Sequence, residues 1–202
     1  MQQQDLNTLI FASANSHKAQ EIQAAFVGNA RIMLPTELGF HFDVEETGTT
    51  LKENAALKAE AASVLTGMPA FADDTGLFCD ALNGAPGVHT ARFAAMNAYE
   101  GSNNELLLER LKGQETRSAR FISVFCLRLK HETLYFKGVL EGRISELVAG
   151  SGGFGYDPVF IPQGFSQTLA ELPIEVKIAI SHRSQALLAM QRWIKAYQSY
   201  HG

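Results

Sequence analysis

Cysteine is scarce in this sequence, and long apolar runs are absent. The two cysteines among its 202 residues, Cys79 and Cys126, lie in apolar stretches without metal-ligand spacing. We expect them to be reduced core thiols of a cytoplasmic protein, because extracellular proteins usually pair their cysteines in disulfides. No apolar run approaches the roughly 18 residues of a membrane helix, and the N-terminal stretch lacks the basic and apolar regions of a signal peptide. We therefore expect no membrane association.

An excess of basic residues is also absent. The chain carries 17 Lys and Arg against 21 Asp and Glu, so its formal net charge is −4. Proteins that bind duplex nucleic acid usually carry a strong basic excess, and we expect no such partner here. A small anionic ligand stays compatible with this charge, because a few local cations suffice to bind it. Hydrophobic residues make up 46% of the chain, which is enough for one globular domain over residues 1–202.

A short strand followed by a helix is indicated near the start of the chain. Residues 8–13 form a nearly continuous apolar run, as in a buried parallel strand. The residues that follow are typical of a helix that is capped by Asn15 or Ser16 and ends at Gly28. Backbone N–H groups at such a turn can bind a phosphate, and Lys18 adds a cation. An ordinary capped helix with a solvated lysine is the alternative.

The clearest helix of the sequence is rich in alanine. Thr50 and Glu53 form a capping box at its start, and Gly67 ends it. Further along the chain, residues 119–130 and 134–145 are β-rich runs that predict a hairpin. Alternating strands and helices, together with a hairpin, predict an α/β fold with a mixed sheet.

Two adjacent carboxylates, Asp73 and Asp74, follow an apolar lead-in. Buried ionised carboxylates are costly unless a metal ion, a Lys or Arg, or a shared proton compensates them. Mg²⁺ prefers oxygen ligands, and a carboxylate can also activate water. Glu45 and Glu46 precede the alanine-rich helix, which contains Lys58. Taken alone, the aspartates are also typical of an acidic turn, and the glutamates of a helix N-terminus.

A glycine-rich segment, "GGFGYDP", combines flexibility with two aromatic rings and Asp157. A planar ligand can stack on Phe154 or Tyr156, although the same rings can instead fill the core. Cations follow near the start of the last predicted helix, where backbone N–H donors also converge. These cations are Lys177, His182 and Arg183.

Four segments of the sequence carry a resemblance to a known family. They are "ASANSHKAQEI", "FADDTGLFCDALNGAPGVHTARF", "GGFGYDPVFIPQG" and "ELPIEVKIAISHRSQAL", in this order. With these segments, the chain resembles the inosine triphosphate pyrophosphatase family from residue 12 to about residue 188. The combination of the paired aspartates with "LNGAPG", "GGFGYDP" and "SHR" is highly specific.

The resemblance implies a long mixed β-sheet flanked by helices, in two lobes with an active-site cleft between them. It also implies a homodimer that uses Mg²⁺ to hydrolyse non-standard purine nucleoside triphosphates, namely ITP, dITP and XTP. The products are the nucleoside monophosphate and pyrophosphate, so that the enzyme cleanses the nucleotide pool and prevents misincorporation. Two rivals stay open: a nucleotide-binding module without catalysis, and a related hydrolase that prefers modified pyrimidines.

Roles for individual residues follow from the same resemblance. Asp74 matches the proposed base and a metal ligand, and Glu45 or Glu46 matches its acidic metal partner. Asp73 would support the site through metal-bound water or through a lysine such as Lys58. The positions that match substrate contacts are Ser13, Ala14, Asn15, Ser16, His17, Lys18, Thr75, Phe154, Gly155, Tyr156, Asp157, Lys177, His182 and Arg183.

Three positions depart from the common pattern of this family. Ala14 stands where glycine is usual, which can alter the approach of the backbone to a phosphate. Thr75 stands where serine is frequent and keeps the hydroxyl, and His89 replaces an aromatic residue. None of these changes removes a charged catalytic position, so we expect an active enzyme.

Overall fold

The structure is a computed structural model that describes residues 5–13, 15–26 and 30–201. Strands and helices alternate along these residues, as the sequence predicts. The strands are β1 (Thr8–Phe11), β2 (Arg31–Met33), β3 (Ala70–Cys79), β4 (Pro86–Gly87), β5 (Ser118–Arg128), β6 (Thr133–Ile144) and β7 (Phe160–Pro162). The helices are α1 (Ser16–Ala25), α2 (Leu51–Thr66), α3 (Phe93–Met96), α4 (Asn103–Arg110), α5 (Ile174–Ile180) and α6 (His182–His201).

The strands form one mixed sheet in the order β2-β1-β3-β5-β6-β7, and β4 pairs with β3. Strand β1 is parallel to both β2 and β3, with Ile10 opposite Met33 on one side and opposite Ala70 on the other. Strand β4 is antiparallel to β3, and β7 is antiparallel to β6. The predicted α/β fold with a mixed sheet is therefore confirmed.

The chain divides into two compact units. The first contains the residues up to Asp74, residues 123–138 and the residues from Arg183 onward, and the second contains residues 75–122 and 139–182. Strands β3, β5 and β6 each contribute residues to both units. The sequence alone predicted a single domain over residues 1–202.

Stacked phenylalanine rings lie in the core of the first unit. Phe71 of β3 stacks on Phe11 of β1, with 4.9 Å between ring centroids, and on Phe125 of β5, at 6.1 Å. All three rings are fully buried. Helix α6 packs in the same core through its apolar side chains Ala186, Met190, Trp193, Ile194 and Tyr197.

Helix α2 packs closely in a second cluster of the same unit, because its inward face is built from alanines. Ala55, Ala59 and Ala62 are all 0% exposed. The predicted capping box is present, since the Thr50 hydroxyl accepts from the Glu53 N–H at 3.1 Å and the Glu53 carboxylate accepts from the Thr50 N–H at 3.1 Å. Gly67 ends the helix in the left-handed region, at φ 70°. Helix α2 thus has a defined start, a defined end and a defined inward face.

The second unit has its own core, to which α4, the earlier half of β5, the later half of β6, and β7 contribute. Phe121 and Phe160 contact each other at 4.7 Å between centroids. Leu107, Leu111 and Ile144 are 0% exposed around them. This unit therefore buries apolar residues of its own.

Several details differ from the predictions. Residues 70–79 form one continuous strand, so Asp73 and Asp74 lie inside β3 and not in a turn at a strand end. Lys177, which the sequence placed near the start of the last helix, lies in a separate short helix, α5, that was not predicted. Helix α1 ends at Ala25, and Gly28, the predicted helix end, lies outside the described residues.

Both cysteines are free and buried, as predicted. Burial raises the pKa of Cys79 to about 12 and that of Cys126 to about 11. These thiols therefore stay protonated and unreactive at neutral pH. Within the described residues, none of the helices combines the length and the apolar character that crossing a membrane requires.

We expect Thr50→Ala to lower the free energy of unfolding by about 1 kcal/mol, because it removes the side-chain oxygen that caps α2. Urea unfolding followed by circular dichroism measures this change. Thr50→Ser keeps the hydroxyl and serves as the control, with a stability close to that of the parent. Equal stabilities of the Ala and Ser variants would show that the cap contributes nothing.

Candidate active site

The two adjacent aspartates of β3 have different partners. Asp73 is 2% exposed and Asp74 is 6% exposed. Because successive side chains of a strand point to opposite faces, each carboxylate must find its own compensation. Asp73 binds Lys18 and Arg183, whereas Asp74 binds Lys58. The sequence left open whether a metal ion, a basic side chain or a shared proton compensates these carboxylates. In the structure, basic side chains do so.

Asp73 is held by cations from two helices of the first unit. Its Oδ2 lies 2.9 Å from Lys18 Nζ of α1 and 3.4 Å from Arg183 Nε, in the first turn of α6. The Arg183 guanidinium also binds the Glu21 carboxylate through Nη1. Burial by itself would raise the pKa of Asp73, but Lys18, Arg183 and Lys58 outweigh it and hold that pKa well below its usual range. Asp73 is consequently a permanent anion that anchors two cations.

Asp74 is held by two residues of α2. Lys58 Nζ lies 3.3 Å from Asp74 Oδ1, and Asn54 Nδ2 donates to Asp74 Oδ2 at 3.2 Å. Lys58 Nζ also contacts Glu46 Oε1 at 2.6 Å, so that one ammonium group serves two carboxylates. The predicted residues Glu46, Lys58 and Asp74 are therefore brought together.

The electrostatic surroundings of Asp74 differ from those of Asp73. Burial raises the pKa of the Asp74 carboxyl, and the nearby Glu46 and Asp73 carboxylates add to this rise against the attraction of Lys58. Proton transfer is most effective when the pKa of the base approaches the working pH. Of the two aspartates, Asp74 is thus the better proton acceptor.

The structure also separates the two candidate glutamates. Glu46 is half-buried and lies on Lys58, whereas Glu45 is exposed. Glu46 is therefore the one that shares a cation with Asp74. The sequence could not choose between them, because both precede α2 in an irregular segment.

The carboxylates of Asp74 and Glu46 fit a magnesium site by their chemistry. Mg²⁺ usually binds through one or two carboxylates together with substrate phosphates and water, and it does not require a cage made only of protein ligands. Throughout residues 5–13, 15–26 and 30–201, no group of three or more His, Cys, Asp or Glu side chains is placed to hold a metal ion. Asp74 and Glu46 could therefore supply carboxylate ligands only to a site that phosphate oxygens and water complete.

The turn before α1 is arranged as the sequence predicts, as far as it is described. The Asn15 side chain caps the helix by accepting from the Lys18 N–H at 3.1 Å, and Ser13 Oγ accepts from the Asn15 N–H at 3.1 Å. Ala14 lies outside the described residues. Ser16 and His17 begin α1, but their side chains are outside the described part of the structure.

Two residues of this site were missed by sequence reasoning. Asn54 is 2% exposed and contacts Asp74, and Glu21 binds Arg183. A signal for Asn54 existed, since it lies one helical turn before Lys58 and thus on the same face of α2. Glu21 had no such signal, because its partner is distant in the sequence.

A second set of predicted residues lies in the second unit. Lys177 Nζ is 2.6 Å from Asp157 Oδ2, and the same oxygen accepts from the Phe154 N–H at 3.1 Å. Gly153, at φ +78°, lies against this pair, and a Cβ built there would be 2.0 Å from Asp157 Oδ2 and 2.3 Å from Lys177 Nζ. The ion pair between Lys177 and Asp157 can therefore form in this position only because residue 153 has no side chain.

The aromatic rings of the glycine-rich segment have different surroundings. Tyr156 is 3% exposed in the core, and its hydroxyl donates to the Thr90 carbonyl at 2.9 Å. Its ring therefore fills the core, as the alternative interpretation held. Phe154 is half-buried, which favours it as the stacking surface, and the adjacent Gly155 carbonyl accepts from Asn104.

His182 and Thr75 complete the second set. The buried His182 ring stacks on Phe121 at 4.9 Å between centroids, with 11° between the ring planes. Thr75 is half-buried in β3. Their predicted contacts with a substrate stay predictions.

The model of the Ham1 family matches residues 9–193 of this chain. The chain belongs to the Ham1 family. The resemblance deduced from four short segments thus extends over nearly the whole sequence.

Relatives of this Ham1 protein support the assignment. The chain is 43% identical over 192 residues to the dITP/XTP pyrophosphatase of Treponema denticola, which covers 93% of this chain and 98% of that protein. It is 45% identical over 185 residues to the dITP/XTP pyrophosphatase of Deinococcus deserti. That alignment covers 91% of this chain and 87% of the other protein. The structure of a HAM1 protein from Coxiella burnetii matches with a TM-score of 0.84 and 38% identity, covering 94% of this chain and 98% of that one.

We expect Asp73→Asn to lower the free energy of unfolding at pH 7 by about 3–5 kcal/mol, because Lys18 and Arg183 lose their shared buried anion. A carboxyl with a depressed pKa in the folded state contributes stability above its unfolded pKa and loses it as the pH falls. The difference between variant and parent should therefore shrink below about pH 4.

Urea unfolding at pH 7, 5 and 3 measures this difference. Asp43→Asn, at an exposed position, is the control and should stay close to the parent at each pH. A deficit of the same size at pH 7 and pH 3 would contradict the assigned role of Asp73.

Proposed function

We propose that this Ham1 protein hydrolyses non-standard purine nucleoside triphosphates, namely ITP, dITP and XTP, to the monophosphate and pyrophosphate. The observation that carries the proposal is the buried Asp74 carboxylate, which lies between Lys58 and Asn54 with a raised pKa. Relatives over 40% identical bear the name dITP/XTP pyrophosphatase. Such an activity removes nucleotides that would otherwise be incorporated by polymerases.

Asp74 serves as the general base in this proposal. It accepts a proton from a water molecule while the water oxygen forms a bond to the α-phosphorus. The bond between the α-phosphorus and the bridging oxygen breaks, and pyrophosphate leaves with that electron pair. A carboxylate with a raised pKa suits this role better than the strongly acidic Asp73 beside it.

Lys18 and the start of α1 bind the triphosphate. Free backbone N–H groups at a helix N-terminus attract phosphate, and a nearby ammonium group adds to this attraction. The buried Asp73 carboxylate holds the Lys18 ammonium at 2.9 Å and thereby keeps it in a fixed place. Positioning and charge neutralisation are the main contributions that a protein makes to phosphoryl chemistry.

Asp74 and Glu46 would hold a Mg²⁺ ion together with the substrate phosphates. When bound, the ion neutralises polyphosphate charge and makes the phosphorus more electrophilic. Lys58 contacts both carboxylates. Its ammonium group keeps them close together in spite of their mutual repulsion.

The purine base stacks on Phe154 in this proposal, because that ring is half-buried whereas Tyr156 is enclosed. The Lys177 ammonium group can only donate hydrogen bonds. The Lys177 ammonium therefore favours a base with a 6-oxo acceptor, such as hypoxanthine or xanthine, over adenine with its 6-amino donor.

The protein acts as a cytoplasmic homodimer in this proposal. The dimer rests on the family resemblance, and the location rests on the two free cysteines and on the nucleotide pool as the source of substrate. Analytical ultracentrifugation at micromolar concentration tests the dimer. A single species with the mass of a monomer would contradict it.

A panel of nucleotides with resolved products tests the activity. We expect ITP, dITP and XTP to yield monophosphate and pyrophosphate, ATP to react poorly, and Asp74→Asn to lower kcat by roughly 10²-fold or more. Asp43→Asn is the matched control and should keep the activity of the parent.

The products also separate the rivals. Binding without turnover would indicate a nucleotide-binding module, and a preference for modified pyrimidines would indicate a different hydrolase. Release of inorganic phosphate in place of pyrophosphate would refute attack at the α-phosphorus. Turnover of Asp74→Asn within a few-fold of the parent would remove Asp74 from the role of base.

Removal of the metal gives a separate test. We expect activity to disappear with excess chelator and to return with Mg²⁺, because both the polyphosphate and the carboxylate pair need a hard cation. Glu46→Gln should raise the Mg²⁺ concentration needed for half-maximal activity, whereas Glu45→Gln should leave it nearly unchanged. Full activity in excess chelator would contradict the metal role.

A further inference from the structure

Two side chains of α2 connect the acidic segment before the helix to Asp74. Lys58 joins Glu46 Oε1, at 2.6 Å, to Asp74 Oδ1, at 3.3 Å. Asn54 accepts from the Gly48 N–H at 2.8 Å and donates to Asp74 Oδ2 at 3.2 Å. Residues four positions apart lie on one face of a helix, so these contacts form two neighbouring bridges. Each bridge ends on a different oxygen of the same carboxylate.

The Asn54 bridge requires an amide of this length. Its oxygen faces a backbone N–H, which can only donate, and its NH₂ group faces an ionised carboxylate, which can only accept. Aspartate at this position would keep the acceptor for Gly48 but lose the donor for Asp74 and repel it. Leucine would supply neither. Asn54 is 2% exposed, so water cannot replace the lost partners without a rearrangement.

Gly48 shows how close the backbone comes to this amide. A Cβ built on Gly48 would lie 2.6 Å from Asn54 Oδ1 and 2.7 Å from the Cβ of Glu53. Any other residue would therefore push the segment away from α2. Because Glu46 lies two residues before Gly48, such a shift would also move the Glu46 carboxylate relative to Asp74.

We propose that Asn54 is a positioning residue that fixes both the Asp74 carboxylate plane and the distance of segment 46–48 from it. Lys58 alone holds one carboxylate oxygen and leaves the group free to turn about its terminal torsion. With Asn54 on the other oxygen, the carboxylate keeps a single orientation toward the attacking water. The catalytic part of this inference rests on the proposed hydrolysis of ITP.

The kinetic test compares Asn54→Asp and Asn54→Leu with the parent, using ITP. We expect kcat to fall roughly 10- to 100-fold in both variants while KM changes only a few-fold, as is typical when a supporting residue of a reactive carboxylate is lost. Asn97→Asp is the matched control, since Asn97 holds the Phe93 carbonyl and Arg110 in the second unit. The control should keep a kcat close to that of the parent. A kcat within threefold of the parent in both Asn54 variants would overturn the proposal.

Amide hydrogen exchange at Gly48 tests the bridge without any activity. We expect protection of the Gly48 N–H to be retained in Asn54→Asp, which keeps the acceptor, and lost in Asn54→Leu. If Asn54→Leu does not fold, the comparison becomes Asn54→Asp against Gly48→Ala, which should lose the protection. Protection that is unchanged when the bridge is removed would overturn the proposal.

If the parent releases no pyrophosphate from ITP, the proposed function fails, and this exchange measurement still decides whether the bridge exists.

Discussion

The burial of two adjacent carboxylates inside one strand is the constraint on which the first unit depends. Asp73 and Asp74 are both largely shielded from bulk water in β3, and the alternation of the strand prevents them from sharing one cation equally. Each face of the strand therefore needs its own basic side chain. Removing either set of partners would leave an uncompensated buried charge, which is among the largest single costs in a folded protein.

Three helices of the first unit meet this need, and each supplies one cation. Helix α1 supplies Lys18, α2 supplies Lys58, and α6 supplies Arg183. Their different surroundings give the two carboxyls opposite shifts of pKa, since Asp73 is dominated by cations whereas Asp74 is raised by burial and by Glu46. One aspartate thus becomes a fixed anchor, and the other becomes the proton acceptor of the proposed reaction.

The second unit also compensates a buried carboxylate, that of Asp157, and uses fewer residues to do so. The buried pair of Lys177 and Asp157 is compensated internally, and the Phe154 N–H adds a hydrogen bond to the carboxylate. Close approach to Gly153 leaves no room for a side chain there. Glycine is therefore required at position 153 because the ion pair packs against its backbone. The match of the Ham1 family over residues 9–193 includes both units.

The sequence by itself determined the elements that depend on local chemistry: the Thr50 capping box, the Gly67 helix end, the strand before α1 and the family to which the chain belongs. These signals reside in neighbouring residues, where propensity and hydrogen bonding act over one helical turn. Only the tertiary structure decided that Glu46 and not Glu45 shares a cation with Asp74, that Tyr156 fills the core, and that Asn54 and Glu21 join the site. The reason is physical. Which polar groups compensate a buried charge depends on the packing of elements that are distant in the chain, and a linear pattern does not contain those distances.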